Sequence, residues 1–588
     1  MPVNQPPFGG AGRRRRNRLS GSSLVSWERC PRGWMVNRRL GLRGPVRPSM
    51  LLGILLEDAV VGLLMESPPS DGTPPKGHAT WLDFEGASDY EQVNTNPIDS
   101  IEGIHDWLHS LVPAIAEHVH KVLIQQWKTT PWKSDEGDIE TIQLTNIRKQ
   151  IRAGLRMQIA HAKSCLEEGG GPHLELHRTT GDPHNPPAPR WDSIPKSAEP
   201  VAGFQESGQP INWWEAWEVS RPWMKDPRIN EPQRLHHPEG WASGEMDVVH
   251  RWRENATIVD IKSGLHGGRP QPNLEAQLRF YRWLWHQTRE GNTQNVDRLE
   301  GWFLLDAHVH GIDARSNEMM NQETKRLEGI RDQMGRVVEQ DWTWIDEDGT
   351  PENHPLHCPH CNGTQVCGYS ANPENRALRE FLPTLKNLDT FETPSDSTPI
   401  SDLPSRINVK GIIDGGWTEN ENPYGETVRV ANLRVGTTFV TIEETEVGIV
   451  DPETWRGEVA IVNANPGHHR DRARLFLDSR SRLVLADSNE QWTRLGLIPS
   501  RATVSGEVVS INSMSGISQS GRPWTIRTLH LWDGSGVVEI AAFGSNRSRT
   551  FDSITVGDMV TIKHGELGWR EGSPQIKIGR TTVIQPHT

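Results

Sequence analysis

The chain has few cysteines and few tyrosines, and it lacks a long apolar run. Five cysteines in 588 residues are too few for a disulfide framework, which favours a reducing, cytoplasmic location. The most apolar stretch, 50–65, is shorter than a membrane span and contains Glu57 and Asp58, so we expect no membrane partner. The first residues also lack the apolar segment of a secretory signal. These absences predict an intracellular globular protein.

Phosphate-binding loops are also missing, and the charge is predominantly negative. No GxxxxGK[ST] sequence occurs, which excludes a P-loop motor. The net charge of −13 disfavours a polyanionic partner for the chain as a whole. However, residues 1–50 contain eleven arginines and one glutamate, and residues 501–588 contain nine Lys/Arg against seven Asp/Glu. We expect residues 1–19 to be a basic flexible tail, and both ends permit contact with nucleic acid.

The length predicts several domains. Helical periodicity predicts two helices within 20–65 and further helices at 101–127 and 139–166. An α/β core follows, in the order strand 244–250, strand 256–261, helix 274–287 and strand 301–305. The predicted domains are a first domain at 20–382, a linker rich in Pro, Ser and Thr at 383–404, a β-rich module at 405–497 and a second all-β module at 498–588.

Two acidic residues and a lysine lie on the two adjacent strands of this core. Asp260 and Lys262 are two residues apart in a strand and therefore project from the same face, and a hairpin-type return brings Asp247 to the same end. Paired carboxylates suit Mg²⁺ or Mn²⁺. A lysine beside them can position or deprotonate a water that attacks a phosphodiester. A D-x-K tripeptide alone more often marks a strand end with solvated charges, so the surrounding pattern decides.

The decisive addition is Gln277-Leu278-Arg279-Phe280-Tyr281, which begins fifteen residues after Lys262. Gln277 and Tyr281 are spaced i and i+4 and so share one helix face. Together with the G-x-x-D and D-x-K strands, this pattern resembles the RecB-type nucleases of the PD-(D/E)XK superfamily. The resemblance implies an α/β fold, with a mixed sheet flanked by helices, and a metal-dependent deoxyribonuclease. It also implies that Gln277 and Tyr281 support the lysine and contact DNA near the cut.

The same family carries an upstream helix in which a glycine is followed four residues later by a metal-binding histidine. Here Gly53 is followed by Glu57, so a carboxylate replaces the imidazole and still suits Mg²⁺. Burial of an unpartnered carboxylate in an apolar helix is costly. We therefore expect Glu57 to join Asp247 and Asp260 as a metal ligand, and the alternative is an acid on the helix surface.

The cysteines form a second pattern, C-x2-C-x5-C, preceded far upstream by Cys30-Pro31-Arg32. It resembles the subfamily of RecB-type nucleases that hold a 4Fe-4S cluster, which includes AddB-type and certain CRISPR-associated nucleases. The resemblance implies an iron-sulfur staple with the ligands Cys30, Cys358, Cys361 and Cys367. A structural Zn²⁺ site with His357 or His360 as fourth ligand is the alternative. A metal that joins Cys30 to Cys358 closes a very long loop, and Cys165 is expected to be a packed thiol.

Residues 501–586 resemble the OB-fold of replication protein A in the stretches 504–509, 529–536, 537–543 and 556–560. The resemblance implies a five-stranded barrel that stacks single-stranded bases on aromatic side chains within a basic groove. The expected nucleic-acid contacts are Trp524, Arg527, Phe543, Arg547 and Lys563. Packing inside the barrel is the alternative for Trp532 and Phe543. The module at 405–497 is a possible second OB-fold.

The sequence thus predicts an exo- or endonuclease that uses Mg²⁺ or Mn²⁺ and acts on single-stranded or branched DNA in repair or recombination. Two alternatives remain open. An inactive single-strand-binding adaptor is compatible with the glutamate at position 57. A nuclease subunit that works with a separate helicase, or with another repair protein, is compatible with the missing P-loop.

Overall fold

The structure is a computed structural model of the chain. It describes residues 19–66, 68, 98–134, 139–180, 208–224, 234–288, 295–314, 319–339, 361, 366, 391–421, 427–445, 448–469, 472–478, 480–485, 487–517, 523–544, 548–570 and 573–587.

These residues form two compact units. The α/β unit comprises residues 19–25 and 46–330, and the β unit comprises residues 26–45 and 331–588. The predicted domain 20–382 is therefore divided, because residues 26–45 pack with the C-terminal part of the chain.

In the described part of the chain, seven α-helices precede the four-stranded sheet that carries the predicted acidic residues. They are α1 (Gly21–Arg29), α2 (Pro31–Trp34), α3 (Pro48–Leu64), α4 (Ile101–Thr129), α5 (Leu144–Glu167), α6 (His173–Thr180) and α7 (Trp213–Ser220). Ser100 begins α4 by accepting a hydrogen bond from the amide of Gly103, and α7 begins with a capping box formed by Asn212 and Glu215. A π-helical turn, Met35–Leu40, continues α2.

The core of the α/β unit forms where α3, α4 and α5 pack together and against the sheet. The side chains of Leu56, Val60, Leu108 and Leu155 are fully buried there. Gly154 lets α5 approach α3 closely, since a Cβ at this position would lie 2.6 Å from the side chain of Val60. Apolar side chains spaced three and four residues apart explain why these segments are helices with one buried face.

A four-stranded sheet carries the predicted acidic residues. Its strands are β3 (Val248–His250), β4 (Ala256–Lys262), β5 (Val296–Phe303) and β6 (His308–Asp313), in that spatial order, after a short ribbon of β1 (Leu235–His236) and β2 (Ser243–Gly244). β4 and β5 are parallel, and the other neighbours are antiparallel. The crossover between β4 and β5 contains α8 (Pro272–Gln287), and α9 (Met320–Glu339) follows β6. The strand β6 was not predicted, because most of its residues are exposed and lack apolar alternation.

The β unit contains two closed rings of strands. The strands of the first are β7 (Ile407–Glu421), β8 (Thr427–Val435), β9 (Thr438–Glu444), β10 (Gly457–His469), β11 (Arg472–Leu477) and the accessory β12 (Arg482–Val484). Those of the second are β13 (Arg501–Ile517), β14 (Pro523–Trp532), β15 (Val537–Phe543), β16 (Met559–Arg570), β17 (Ser573–Lys577) and the accessory β18 (Val583–His587), with the short helix α10 (Arg549–Ser553) before β16.

The two rings have the same topology. In each, the first three strands form an antiparallel meander, the third pairs in parallel with the fifth, and the fourth closes the ring against the first. Residues 405–497 therefore repeat the strand pairing of the C-terminal barrel.

Part of the predicted linker lies against the C-terminal barrel. The amide of Thr398 donates to the carbonyl of Thr503 at 2.8 Å, and the amide of Ile400 donates to a carboxylate oxygen of Asp533 at 2.8 Å. Ile400 is buried. Residues 391–404 are therefore held in place in spite of their loop-like composition.

Residues 26–45 also pack on this barrel. The hydroxyl of Ser510 accepts a hydrogen bond from the amide of Arg43 at 2.9 Å and donates to the carbonyl of the same residue at 2.8 Å. His530 lies 2.8 Å from the carbonyl of Leu40. Val36 and Leu42 are buried beside Val366 and Val509 in one apolar cluster. These contacts explain why the segment belongs to the β unit.

Candidate active site and nucleic-acid interface

The two aspartates meet because β3 and β4 are antiparallel. Val248 pairs with Val259, so Asp247, immediately before β3, lies across from Asp260. One oxygen of Asp247 accepts a hydrogen bond from the amide of Ile261 at 2.8 Å. Asp260 is 1% exposed. The strand register thus places both carboxylates at one end of β4.

Lys262 projects from the same face of β4. Its Nζ lies 2.5 Å from Oδ2 of Asp260. Burial acts to lower the pKa of Lys262, but the carboxylates outweigh it, with Asp260 first and then Asp247 and Glu57, so the pKa is raised from its usual value. The lysine is therefore a cation at neutral pH in this arrangement.

Helix α8 presents Gln277 and Tyr281 to the same carboxylate. The amide nitrogen of Gln277 donates to Oδ1 of Asp260 at 2.9 Å and to the hydroxyl of Tyr281 at 3.0 Å. Burial and the neighbouring carboxylates raise the pKa of Tyr281, which keeps its hydroxyl protonated. Gly244 makes room for this tyrosine, because a Cβ there would lie 3.1 Å from its ring.

Glu57 reaches the site from α3. Gly53, one helical turn earlier, allows α3 to approach the residue that follows the lysine, since a Cβ at Gly53 would lie 3.2 Å from the hydroxyl of Ser263. The charge of Glu57 contributes to the raised pKa values of both Lys262 and Tyr281. The structure therefore brings together all the residues predicted for the acidic site.

Two supporting residues were missed by the sequence reasoning. Gln150 of α5 is buried, and its amide donates to the carbonyl of Ser263 at 2.5 Å. Gly21 lies over α8, where a Cβ would approach the side chain of Gln277 at 3.0 Å and that of Tyr281 at 3.2 Å. Both residues act through tertiary contacts, which the sequence does not reveal. The local signal that could have indicated Gln150 was its polar side chain on the apolar face of α5.

The donor set fits a hard divalent cation. Asp247 and Asp260 each have one oxygen fixed by an N–H donor, and a third carboxylate, that of Glu57, lies within electrostatic reach. Carboxylate oxygens are the ligands that Mg²⁺ and Mn²⁺ prefer. The site can thus hold such an ion beside an ammonium group.

Two of the predicted cluster cysteines are described, and they lie close together. A Cβ at Gly33 would be 3.6 Å from Sγ of Cys30 and 3.9 Å from Sγ of Cys361, so the glycine leaves open space beside both sulfurs. The amide of Gly33 also donates to the sulfur of Cys30 at 3.3 Å. Two neighbouring cysteine sulfurs are ligands that fit a metal or an iron-sulfur cluster. Cys358 and Cys367 lie outside the described residues.

The predicted nucleic-acid contacts separate into two groups. Trp524 and Phe543 are 43% and 48% exposed, and the strand register places both, with Met514, on one face of β13, β14 and β15. Phe543 is therefore not a core residue. Lys563 is half-exposed and lies 3.9 Å from Asp396. Arg547 lies outside the described residues.

Arg527 has a different environment from the other predicted contacts. It is 7% exposed, and its guanidinium donates to the carbonyls of Asp552 and Ile554 at 2.6 and 2.8 Å. These bonds fasten α10 to β14. Arg527 therefore has a structural position in the barrel, because it lies on the inward-facing alternation of β14 with Leu529 and Leu531.

This fold and these sites define a nuclease-type domain joined to a nucleic-acid-binding barrel. Residues 200–368 match the model of the PD-(D/E)XK nuclease superfamily, and residues 502–584 match the model of the OB-fold nucleic acid binding domain. The predicted PD-(D/E)XK domain and C-terminal OB-fold are therefore confirmed. The RecB-type and iron-sulfur details stay predictions.

Several solved structures resemble the chain in part. A replication protein A heterotrimer bound to ssDNA is 13% identical over 34% of this chain, with a TM-score of 0.14, and only 52% of its own length is covered. An OB domain from Thermoplasma acidophilum is 16% identical over 16% of this chain and 78% of its own, with a TM-score of 0.13. Fission yeast Pot1 with ssDNA is 9% identical over 34% of this chain and 92% of its own length, with a TM-score of 0.13.

No curated protein matches the chain. Within the described part of the chain, none of the helices combines the length and the apolar character needed to cross a membrane.

Proposed function

We propose that the chain is a metal-dependent phosphodiesterase that cleaves DNA at the site formed by Asp247, Asp260 and Lys262. The observation that carries the proposal is the environment of Asp260. Its two oxygens are held separately, one by the amide of Gln277 and the other beside the ammonium of Lys262. A carboxylate that served only as a strand-end charge would not need an amide donor from a helix elsewhere in the fold.

Each residue has a distinct role in the proposed reaction. A hard divalent cation, when bound by Asp247, Asp260 and Glu57, would offset the charge that develops on the scissile phosphate. Lys262 is placed to orient the attacking water and a phosphate oxygen. Gln277 fixes the direction of Asp260, and Tyr281 in turn fixes Gln277. The proposed cut therefore lies at the end of β4, beneath α8.

We further propose single-stranded or branched DNA as the substrate, in repair or recombination. The exposed side chains of Trp524 and Phe543 give the C-terminal barrel a face on which bases can stack. A barrel that binds single strands on the same chain raises the concentration of such strands at the nuclease. This second proposal, on the substrate, depends on the barrel alone. It can therefore fail while the proposed nuclease activity is confirmed.

The test uses cleavage of end-labelled single-stranded, double-stranded and forked DNA in Mg²⁺, with labels at either end. Asp260→Asn and Lys262→Met should each reduce cleavage by at least about 10²- to 10³-fold while single-strand binding is retained. Lys163→Met is the matched control, because it removes a lysine that pairs with Glu102 on the surface of the same unit. It should cleave like the wild type.

The outcomes separate the alternatives. Equal cleavage by the wild type and Asp260→Asn would refute the assigned site. Binding of single strands without cleavage by any form would favour the inactive adaptor. Cleavage that appears only after a helicase is added would favour a dependent subunit.

For the cysteines, we propose a 4Fe-4S cluster held by Cys30, Cys358, Cys361 and Cys367. The proximity of Cys30 and Cys361 beside Gly33 supports this proposal. Protein purified without oxygen should contain iron and sulfide, and Cys361→Ser should lose both. Cys165→Ser is the control, because Cys165 is buried and burial raises its pKa, which keeps it a thiol. Zinc in place of iron would identify the competing site.

A further inference from the structure

Three histidines converge outside the acidic site. His266 lies in the loop after β4, and His308 and His310 lie on the edge strand β6. One ligating atom from each falls within 4.8 Å of the other two. Nε2 of His266 is 3.2 Å from Nδ1 of His310, and the ring of His266 stacks at 4.2 Å on that of His308. These residues have no role in the proposed nuclease reaction.

The spacing of the nitrogens suits a tetrahedral metal ion. Zinc binds imidazole nitrogen at about 2.0–2.1 Å, so two such ligands lie about 3.3 Å apart. The observed 3.2 Å between His266 and His310 is close to this value. His308 is exposed and the other two are half-exposed, which leaves access for an ion and for water as a fourth ligand.

Neighbouring groups contact two of the three histidines. A carboxylate oxygen of Asp306 accepts the backbone N–H of His266 at 3.1 Å, and the ring of Phe303 packs edge-on against that histidine. Glu275 of α8 lies 3.9 Å from Nε2 of His310. A carboxylate beside a ligating imidazole orients the ring and increases its basicity. The cluster thus has an outer layer of supporting contacts.

The chemistry of the cluster favours a cation over a phosphate. The carboxylates of Asp306 and Glu275 lie beside His266 and His310, and their negative charge disfavours an anion at this position. Neutral imidazoles are ligands for zinc, nickel and copper. Protonated imidazoles would instead attract phosphate. Phosphate binding would then strengthen as the pH falls, whereas Zn²⁺ binding would weaken.

We propose that His266, His308 and His310 bind a transition-metal ion of the Zn²⁺ class at a site separate from the carboxylates. His310 pairs with Gly301 and Gly301 with Asp260, while His308 pairs with Phe303 and Phe303 with Lys262. Paired residues share a face, so the histidines lie on the same side of the sheet as the acidic site, two strands or about 10 Å away.

The position of this ion gives it a mechanical role. The loop that contains His266 connects Lys262, at the end of β4, with the helix that carries Gln277. An ion bound by all three histidines ties this loop to β6. It therefore restrains the loop between Lys262 and the helix that carries Gln277 at one point, His266. In molecules without the ion, the loop would be held by hydrogen bonds such as the one from the backbone N–H of His266 to Asp306.

The test measures Zn²⁺ binding to the full-length protein without a polyhistidine tag, by equilibrium dialysis near neutral pH. The double variant His308→Asn/His310→Asn should bind one equivalent fewer, or bind that equivalent at least about 100-fold more weakly, since loss of supporting groups alone costs 10- to 100-fold. His286→Asn, which changes an exposed histidine at the end of α8, is the matched control. Any zinc bound by the cysteines would be the same in the wild type and the variants, so it does not affect the difference in bound Zn²⁺ between them.

Two further measurements keep the result interpretable. Co²⁺ added to the wild type should give visible bands that the double variant lacks, and the near-ultraviolet band of cobalt-thiolate bonding should be the same in both. His266→Asn provides a second variant if the double variant is unstable. Equal Zn²⁺ binding by wild type and variants overturns the proposal. Binding of inorganic phosphate that increases on acidification, without Zn²⁺ binding, overturns it in favour of an anion site.

Discussion

Replacement of Gln277 by methionine tests whether the orientation of Asp260 limits cleavage. Methionine keeps the length of the side chain but removes the amide that bonds both Asp260 and Tyr281. A hydrogen bond to a charged group contributes about 1.5–3 kcal/mol. At about 1.4 kcal/mol per tenfold change in rate, Gln277→Met should slow the chemical step by about 12- to 140-fold.

Tyr281→Phe provides an internal scale for this prediction. It removes only the hydroxyl, so the bond from Gln277 to Asp260 at 2.9 Å is kept. A neutral hydrogen bond contributes about 0.5–1.5 kcal/mol, which corresponds to a loss of about 2- to 13-fold. The order of the effects should therefore be Gln277→Met first, Tyr281→Phe second.

The assay is single-turnover cleavage in saturating Mg²⁺, which reports the chemical step without product release. Gln287→Met is the control, because Gln287 lies on the same helix and makes only a 3.4 Å contact with Thr324. Unfolding midpoints of all three variants exclude a loss of fold. Wild-type rates for Gln277→Met, or a larger defect for Tyr281→Phe, would refute the proposed chain of hydrogen bonds.

Three other predictions concern the β unit. Burial raises the pKa of Glu507 to about 7 from 4.5, so stability should fall as the pH rises between these values, and Glu507→Gln should abolish that fall in thermal unfolding. Arg406→Met should lower the free energy of unfolding in denaturant by about 3–5 kcal/mol, because it leaves the buried carboxylate of Asp478 without its guanidinium partner. Arg456→Met, which changes an exposed arginine, should lower it by less than about 1 kcal/mol. Trp524→Ala should weaken single-strand binding by about 1–3 kcal/mol in fluorescence titrations without lowering the unfolding midpoint, and an unchanged affinity would exclude the aromatic face.

The acidic residues could be placed from the sequence because their spacing follows local periodicity. Asp260 and Lys262 share a face of one strand, and Gln277 and Tyr281 share a face of one helix, whatever the rest of the chain does. The pairing of the two strands that bring Asp247 and Asp260 together could be inferred from the short connection between them. Local rules therefore sufficed to predict which of these side chains share a face, whereas the approach of Gln277, Tyr281 and Glu57 to the aspartates was implied by the resemblance to RecB-type nucleases.

The residues that were misjudged depend on long-range contacts. Arg527 looked like a basic groove residue, but the carbonyls that bind it belong to α10, which no local pattern in β14 reveals. The histidines at positions 266, 308 and 310 are separated by about forty residues, and β6 itself has no apolar alternation. Gln150 likewise depends on how α5 crosses the end of β4.

The packing of residues 26–45 on the C-terminal barrel has a consequence for biosynthesis. Arg43 and Ser510 are 467 residues apart, and Leu40 and His530 are 490 apart. At about 5–20 residues per second, synthesis of the intervening chain takes about 20 to 100 s. During this time Val36 and Leu42 have no barrel to cover them. We expect a ribosome-bound chain that ends before residue 498 to remain protease-sensitive at this segment, and residues 26–45 to be among the last to fold.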